Sequence, residues 1–318
     1  MALKRTVNLL PPAMKDELRL GRDRARHKSW RAALAHELYW SRHKNTLREQ
    51  APLLDPSPYY WLFILGVNNS GTTLLENLIK RHPLVKSFSE EGQHLTDALH
   101  GALTRGELDR LWTRRLDLYR LTEMQGADAA VKAQYDWAFF LPDKPGVVLE
   151  KSPPNTLRSR WLQRYFRPSR FVALVRHPFA VVEGIRRRTN CTAEAAAKHW
   201  TTANECLLED EGKLERRLLF HYEAFCEQPR AHLERLERFL GLGTPFDRSI
   251  LEGQFNVHNA DNKPQTLQNM NAKSVARLSE TDKSTILQVA EKVMARLGYD
   301  ETNYADSSSY PAVFGSAP

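Results

Sequence analysis

The feature of this sequence that most restricts its fold is the alternation of short apolar runs with amphipathic segments. Apolar runs cover Tyr60–Val67, Val147–Leu149 and Arg170–Val175, and Arg217–Tyr222 is a weaker fourth run. Each run leads into a segment whose apolar residues have helical spacing. Short apolar strands that alternate with helices predict βαβ units, that is, an α/β fold with a parallel sheet and helices on both faces.

Helical periodicity gives the expected helices and, with them, the domain organisation. Helices are predicted over 13–50, Thr72–Lys80, 93–120, Pro229–Leu240 and Ser279–Leu297. A linker is predicted by three nearby prolines, Pro52, Pro56 and Pro58. We therefore expect a helical arm over residues 1–55, a single α/β domain over 56–300 and a loose tail over 301–318.

The charge of the chain is concentrated at its N-terminal end. The 318 residues include 46 Lys and Arg against 38 Asp and Glu, a net charge of +8. The first 50 residues hold 12 Lys and Arg and 5 Asp and Glu, so +7 of the net charge lies there. A nearly neutral body argues against nucleic acid as a partner. The arm either contacts an anionic partner or membrane surface, or is a solvated helix lying on the body.

Apolar length and cysteine pattern bear on the compartment. The longest apolar run, Trp61–Val67, has 7 residues, far fewer than the roughly 20 of a membrane helix. The N-terminal residues lack the apolar stretch of a secretory signal. Cys191, Cys206 and Cys226 form no CxxC or Cys/His pattern. The sequence thus predicts a reduced, cytoplasmic protein with no transmembrane segment and no metal site.

The first apolar run ends in a loop with two glycines, Gly66 and Gly71, directly before the predicted helix. This spacing is typical of a phosphate-binding loop, in which backbone N–H groups and a helix N-terminus face the anion. The hydroxyls of Ser70, Thr72 and Thr73 can add hydrogen bonds. An ATP-dependent phosphotransferase has Lys where this chain has Thr72. A glycine-containing turn without a ligand is the alternative interpretation.

Charged residues follow the other runs where each predicted strand ends. Lys151 follows the second run and Arg176 follows the third. Because ligands of α/β sheets bind at the carboxyl ends of the strands, we expect both side chains and the loop on one rim. Arg176 can bind a phosphate through two N–H groups, or it can form an ion pair at the start of a helix.

These residues resemble a known family. Gly66–Leu75, with the pattern Gly-x-x-x-Ser-Gly-Thr-Thr-Leu-Leu, resembles the 5′-phosphosulfate loop of sulfotransferases that use 3′-phosphoadenosine 5′-phosphosulfate (PAPS). Arg176–Gly184 resembles their 3′-phosphate motif. The likeness runs from about Trp61 to Tyr299 and is strongest to the branch of tyrosylprotein sulfotransferases and many bacterial enzymes. Weaker matches are Glu150-Lys-Ser-Pro-Pro, Tyr222-Glu223, Phe239-Leu-Gly-Leu242, Lys263-Pro264 and Leu297-Gly-Tyr299.

The resemblance implies a P-loop-type sheet and transfer of a sulfuryl group from PAPS to a hydroxyl or amine, with no metal. It also implies which residues bind the donor: Asn69, Ser70, Gly71, Thr72, Thr73, Arg176, Gly184, Arg188, Tyr222 and Lys273. For Arg188 the alternative is a solvated helix end.

Two residues are expected to act on the reacting groups. The resemblance places the general base in Ser89–Gln93, where we choose Glu91, with Glu90 as the second choice. A solvated acidic turn is the alternative for this segment. Lys151 is expected to neutralise the charge that builds on the leaving phosphate, or else to be a surface lysine at a strand end.

The chain departs from the family pattern at two of these positions. Asn69 stands where the family usually has Lys or Arg, and Gly184 stands where it has Ser. Three functions therefore remain: a PAPS-dependent sulfotransferase, a P-loop phosphotransferase using ATP, and a non-catalytic anion-binding relative.

The acceptor is expected to be a small molecule, a carbohydrate or a peptide, and the chain could form a homodimer. We expect residues 93–145 and the arm to build the acceptor pocket. Its aromatic and basic candidates are Trp112, Tyr119, Tyr135, Trp137, Arg114 and Arg115.

Overall fold

A parallel five-stranded sheet lies at the centre of the protein. The computed structural model describes residues 12–50, 60–99, 110–141, 146–255, 266–305 and 310. The strands are β1 (Tyr60–Leu65), β2 (Val85–Ser87), β3 (Val147–Glu150), β4 (Ser169–Val175) and β5 (Arg217–His221). All pairs are parallel, and the order across the sheet is β2-β3-β1-β4-β5. The predicted α/β class is confirmed.

Helices cover the sheet. In the N-terminal half they are α1 (Pro12–His27), α2 (Trp30–Gln50), α3 (Thr72–Ile79), α4 (Leu116–Tyr119) and α5 (Ala127–Ala138). They continue as α6 (Ser159–Tyr165), α7 (Pro178–Thr189), α8 (Ala193–Glu211), α9 (Tyr222–Glu227), α10 (Pro229–Leu240), α11 (Asn271–Val275) and α12 (Glu280–Arg296). Short 3₁₀ turns span Gly92–His94, Trp112–Arg115, Pro153–Leu157 and Arg248–Glu252. Among these described residues, no helix combines the length and apolar character needed to cross a bilayer.

The central strand β1 shows why both faces of the sheet are covered. Phe63 and Leu65 belong to one cluster of buried apolar side chains, whereas Leu62 and Ile64 belong to a second cluster. Successive side chains of a strand point to opposite faces, so a fully apolar strand needs an apolar layer on each side.

Two elements differ from the sequence-based expectation. The helix predicted over 93–120 is wrong for the described residues, which contain 3₁₀ turns and the single turn of α4, while 100–109 lie outside them. Leu95, Leu99 and Leu111 are buried in the core one by one without sharing a helix. Strand β2 was not predicted because Val85–Ser87 is too short and polar to form an apolar run.

The N-terminal arm is two helices rather than the one predicted over 13–50. The side chain of Ser29 accepts a hydrogen bond from Ala32 N at 3.1 Å, which caps the start of α2 and separates it from α1. The predicted proline linker lies outside the described residues.

Asp136 on α5 anchors this arm to the body. Its fully buried carboxylate accepts hydrogen bonds from Arg24 at 2.7 Å, Lys132 at 2.7 Å and Thr96 at 2.7 Å, and lies 3.1 Å from His36 Nε2. Burial alone would raise the pKa of Asp136, but His36 and the two cations lower it. The structure therefore favours the interpretation in which the helical arm lies on the body.

The same region holds three groups that a metal ion could bind, although the sequence predicted no metal site. Ligand atoms of His36, Glu37 and Asp136 lie within 4.8 Å of one another. Arg24 contacts both carboxylates, so a protein cation already neutralises them.

The three cysteines of the chain are free thiols.

The tail predicted to be loose over 301–318 is described for residues 301–305 and 310. Asn303 is buried, and the Tyr310 hydroxyl donates to its carbonyl oxygen at 2.5 Å. The Tyr310 ring also stacks on His221 of β5 with centroids 4.8 Å apart. These tail residues are therefore packed against the body.

Candidate active site

The loop between β1 and α3 has the backbone of an anion-binding turn. Gly66, Asn69 and Gly71 have positive φ angles of 152°, 66° and 98°. Ser70 is buried, and its hydroxyl donates to Val67 O at 2.7 Å, so this hydroxyl supports the loop from behind. Helix α3 begins directly after Gly71, which places its N-terminal N–H groups at the mouth of the loop.

Arg176, at the end of β4, is fixed beside this loop. Its Nη1 donates to Asn69 O at 2.9 Å, and its Nε donates to Asn271 Oδ1 at 2.7 Å. The guanidinium lies 4.0 Å from the centre of the Tyr222 ring, a cation–π contact. A Cβ at Gly71 would lie 2.7 Å from the same ring, so only glycine allows this approach.

The two positions that depart from the family pattern touch each other. A Cβ at Gly184 would lie 3.0 Å from Asn69 Cγ, so a serine there would press on the Asn69 amide. Asn69 Nδ2 is buried without a hydrogen-bond partner. The amide nitrogen is therefore an unsatisfied donor packed beside Gly184.

Glu91 and Lys151 form an ion pair across the strand ends. Lys151 Nζ lies 2.8 Å from Glu91 Oε1 and 3.9 Å from Glu76 Oε2. Burial would lower the pKa of Lys151, but these carboxylates outweigh it and raise the pKa above its ordinary value. Lys151 is therefore a protonated cation that is mostly covered at the cleft rather than a surface lysine. The second Glu91 oxygen accepts a hydrogen bond from Gln93 Nε2 at 2.7 Å.

The neighbouring carboxylate, Glu90, points to a different partner. Its Oε2 lies 3.6 Å from Arg19 Nη2 of α1, and its side chain is 45% exposed, against 26% for Glu91. Both residues border the same cleft. The contact with Lys151 distinguishes Glu91 from Glu90.

One cleft of about 640 Å³ contains most of the predicted site residues, a volume within the range of about 300–1,000 Å³ typical of small-molecule sites. Its lining includes Asn69, Gly71, Thr72, Thr73, Glu91, Lys151, Arg176, Arg188, Tyr222 and Lys273. Of the described residues that line it, eight are Lys or Arg and three are Glu. The cleft therefore suits a ligand with several negative charges. Ser70 and Gly184 lie behind this surface.

The aromatic residues expected to form the acceptor pocket do not line this cleft. Trp112, Tyr119 and Trp137 are buried in the core, with exposures of 1%, 2% and 0%. Tyr135 stacks on His36 of the arm with ring centroids 4.1 Å apart. Trp112 instead supports the loop, since its Nε1 donates to Asn68 Oδ1 at 2.6 Å.

Several site residues were missed from the sequence. Glu76 and Arg110 line the cleft, and Asn271 holds Arg176. Glu76 lies on a helix face like many other glutamates, and Asn271 lies 95 positions from Arg176. The sequence around Glu76 and Asn271 shows no pattern that predicts a place in the site, because contacts between distant segments leave no local pattern.

A family model and a curated relative match this chain. The model of the Sulfotransferase family matches residues 62–247, more than half of the chain. Protein-tyrosine sulfotransferase 2 of Gallus gallus is 29% identical over 194 residues, which cover 57% of this chain and 51% of that protein. This chain thus aligns with about half the length of that relative.

Solved structures with a similar fold are also sulfotransferases. A sulfotransferase from Mycobacterium avium has a TM-score of 0.50 at 13% identity. The match covers 92% of this chain and 89% of the Mycobacterium avium chain. The sulfotransferase domain of the Synechococcus PCC 7002 olefin synthase has a TM-score of 0.49 at 24% identity, with 74% of this chain and 96% of that chain covered. By its family match, the chain belongs to the sulfotransferase family.

Proposed function

We propose that this sulfotransferase uses PAPS as its donor substrate and Glu91 as its general base. The observation that carries the proposal is the ion pair between Glu91 and Lys151, 2.8 Å apart, in the cleft that also contains the phosphate-type loop and Arg176. A phosphosulfate and a second phosphate on one ligand need two separate anion sites, and the loop and Arg176 provide them.

In this proposal the donor lies along the cleft with its two anionic ends held differently. The 5′-phosphosulfate is bound by backbone N–H groups of the loop and by Thr72 and Thr73. The 3′-phosphate is bound by Arg176 and Arg188, and Lys273 adds a further positive charge at the rim. Asn69 lines the cleft in place of the charged residue that the family usually has, so the stabilisation of developing charge rests on Lys151.

The proposed chemistry is a direct displacement at sulfur. Glu91 removes the proton from the acceptor hydroxyl or amine as its oxygen or nitrogen attacks the sulfur atom. The bond from sulfur to the bridging oxygen breaks, and adenosine 3′,5′-bisphosphate leaves. Lys151 stabilises the negative charge that develops on the leaving phosphate.

The name of the avian relative suggests a tyrosine-containing peptide as one acceptor class to test. Small phenols and carbohydrates belong in the same test, because a shared fold does not fix the substrate. A cytoplasmic location and a homodimer stay predictions from the sequence.

Incubation with ³⁵S-labelled PAPS and one acceptor of each class tests the proposal. We expect label to pass to at least one class with the wild type, and transfer at least about a hundredfold slower with Glu91→Gln. Binding of adenosine 3′,5′-bisphosphate without transfer to any class would favour the non-catalytic relative. Transfer of phosphate from ATP, dependent on Mg²⁺, would favour the phosphotransferase.

A further inference from the structure

Two buried glutamates stand where strands of the central sheet end. Glu150 is the last residue of β3, and Glu223 lies one residue beyond the start of α9 after β5; their exposures are 1% and 0%. Glu150 Oε1 accepts hydrogen bonds from Gly92 N at 2.8 Å and Ser152 Oγ at 2.5 Å. Its Oε2 accepts from Asn155 Nδ2.

Glu223 is held in the same way by three donors. They are His177 N at 2.9 Å, Asn271 Nδ2 at 2.5 Å and the Tyr299 hydroxyl at 3.1 Å. Burial raises the pKa of both glutamates, while the surrounding N–H and O–H donors favour their ionised forms. Two fixed carboxylates thus organise the backbone and side chains around them.

The two clusters repeat one arrangement of glutamate, asparagine and arginine. Asn155 accepts from Arg158 Nε at 2.8 Å, and Asn271 accepts from Arg176 Nε at 2.7 Å. Arg158 is fully buried, whereas Arg176 borders the cleft. In the second cluster the chain of hydrogen bonds therefore ends on a residue proposed to bind the donor.

In the first cluster the link to the cleft runs through Gly92, which directly follows Glu91. The Gly92 N–H is bound by Glu150, and its carbonyl oxygen accepts from Trp137 Nε1 at 2.9 Å. A Cβ at Gly92 would lie 2.8 Å from Glu150 Cγ, so the contact is close. Both backbone polar groups of Gly92 are fixed, which restricts where the preceding residue, Glu91, can point.

We propose that Glu150 and Glu223 are positioning residues for two separate halves of the reaction. Glu150 orients Glu91 through Gly92 for proton removal, and Glu223 orients Arg176 through Asn271 for donor binding. This inference rests on the proposed function.

The test is a comparison of Glu150→Gln with Glu223→Gln in the full chain, each serving as the buried-carboxylate control for the other. We expect Glu150→Gln to lower kcat at least about tenfold and to change the Kd for adenosine 3′,5′-bisphosphate less than about twofold. We expect Glu223→Gln to raise that Kd at least about tenfold and to change kcat at saturating PAPS less than about threefold. A similar fall in kcat and a similar rise in Kd in both variants would overturn the inference.

A second variant for each cluster keeps the test decisive if a single variant does not fold. In Glu150→Gln the new amide faces the Asn155 amide, two donors together, and Glu150→Gln with Asn155→Asp restores a donor–acceptor pair. In Glu223→Gln the new amide faces the Tyr299 hydroxyl, because His177 N and Asn271 Nδ2 both donate to the other oxygen. The second variant for this cluster is therefore Asn271→Ala, which removes the link between Glu223 and Arg176. We expect the exchange at Glu150 to recover kcat and Asn271→Ala to raise the Kd; a folded variant without that result contradicts the inference.

Different results would contradict the proposed function and the positioning roles. A wild type that neither binds adenosine 3′,5′-bisphosphate nor transfers sulfate overturns the function. A wild type that does both, with variants that do not divide between kcat and Kd, overturns only the positioning roles.

Discussion

Lys151 Nζ lies 2.8 Å from Glu91 Oε1, so the proposed base and the proposed catalytic cation are direct partners. The pairing keeps Lys151 protonated, because nearby carboxylates raise its pKa despite burial. The ion pair also holds Glu91 in place in the cleft. A donor phosphate that draws Lys151 toward itself would therefore release Glu91 Oε1 for the acceptor hydroxyl or amine.

Replacement of Glu91 by glutamine should separate chemistry from binding. Glutamine keeps the size of the side chain but cannot accept the proton, so we expect kcat to fall by about 10²–10⁴-fold. The rise in melting temperature caused by adenosine 3′,5′-bisphosphate should persist. Glu90→Gln is the control and should keep most of the activity, because Glu90 faces Arg19. Full turnover in Glu91→Gln together with loss in Glu90→Gln would reverse the assignment.

Gly71→Ala should damage the donor site through the backbone. Gly71 has a φ of 98°, and an added Cβ would meet the Tyr222 ring at 2.7 Å. We expect destabilisation of about 1 kcal/mol or more and much weaker nucleotide binding. Gly21→Ala is the matched control: Gly21 lies within α1 with no atom within 4 Å of the added Cβ, so about 0.5–1 kcal/mol of stabilisation is expected. Urea unfolding and calorimetric titration measure both effects, and unchanged binding in Gly71→Ala would contradict the prediction.

Asp136→Asn should loosen the helical arm. The substitution removes the buried carboxylate that Arg24 and Lys132 share and leaves them only the more exposed Glu37 and Asp97. Removal of one partner of a fully buried pair costs about 3–5 kcal/mol, which is the upper limit here, so the free energy of unfolding should fall. Asp117→Asn, which alters an exposed pair with Arg115, should change stability little. Equal stability of the two variants would show that Asp136 does not anchor the arm.

Stability should decrease in mild acid because of buried histidines. His177 accepts a hydrogen bond from Phe179 N through Nδ1, and burial lowers its pKa to about 4. The unfolded pKa is about 6.5, so the unfolded chain binds the proton first. This contribution is complete above about pH 6.5 and is lost as the pH falls toward 4, by up to about 3 kcal/mol. Urea unfolding between pH 7 and 4.5 should show a shallower decline for His177→Asn; an identical slope would exclude His177 as the cause.

The parts of the site that lie next to one another in the chain could be predicted from the sequence. The loop at Gly66–Gly71 and the cation Arg176 each follow an apolar strand, so their position at the strand ends was expected. The structure places both in one cleft. The position of each directly after an apolar strand was therefore enough to predict the loop and Arg176 as site residues.

The supporting residues could not be predicted, because they come from distant segments. Asn271 reaches Arg176 across 95 positions, and Gly92 reaches Glu150 across 58. Trp112 and Trp137 were assigned to the acceptor pocket because aromatic composition does not tell a binding face from a core face. Both are buried in the structure, and the cleft is instead bordered by polar and charged residues such as Arg110 and Lys80.

Calorimetric titration of adenosine 3′,5′-bisphosphate into the wild type and Arg176→Ala, with EDTA present, measures directly whether the cleft binds the nucleotide of PAPS. We expect one site per chain on the wild type, little binding to Arg176→Ala, and weaker binding of ATP than of the bisphosphate. No binding to the wild type, or equal binding by Arg176→Ala, would contradict this expectation.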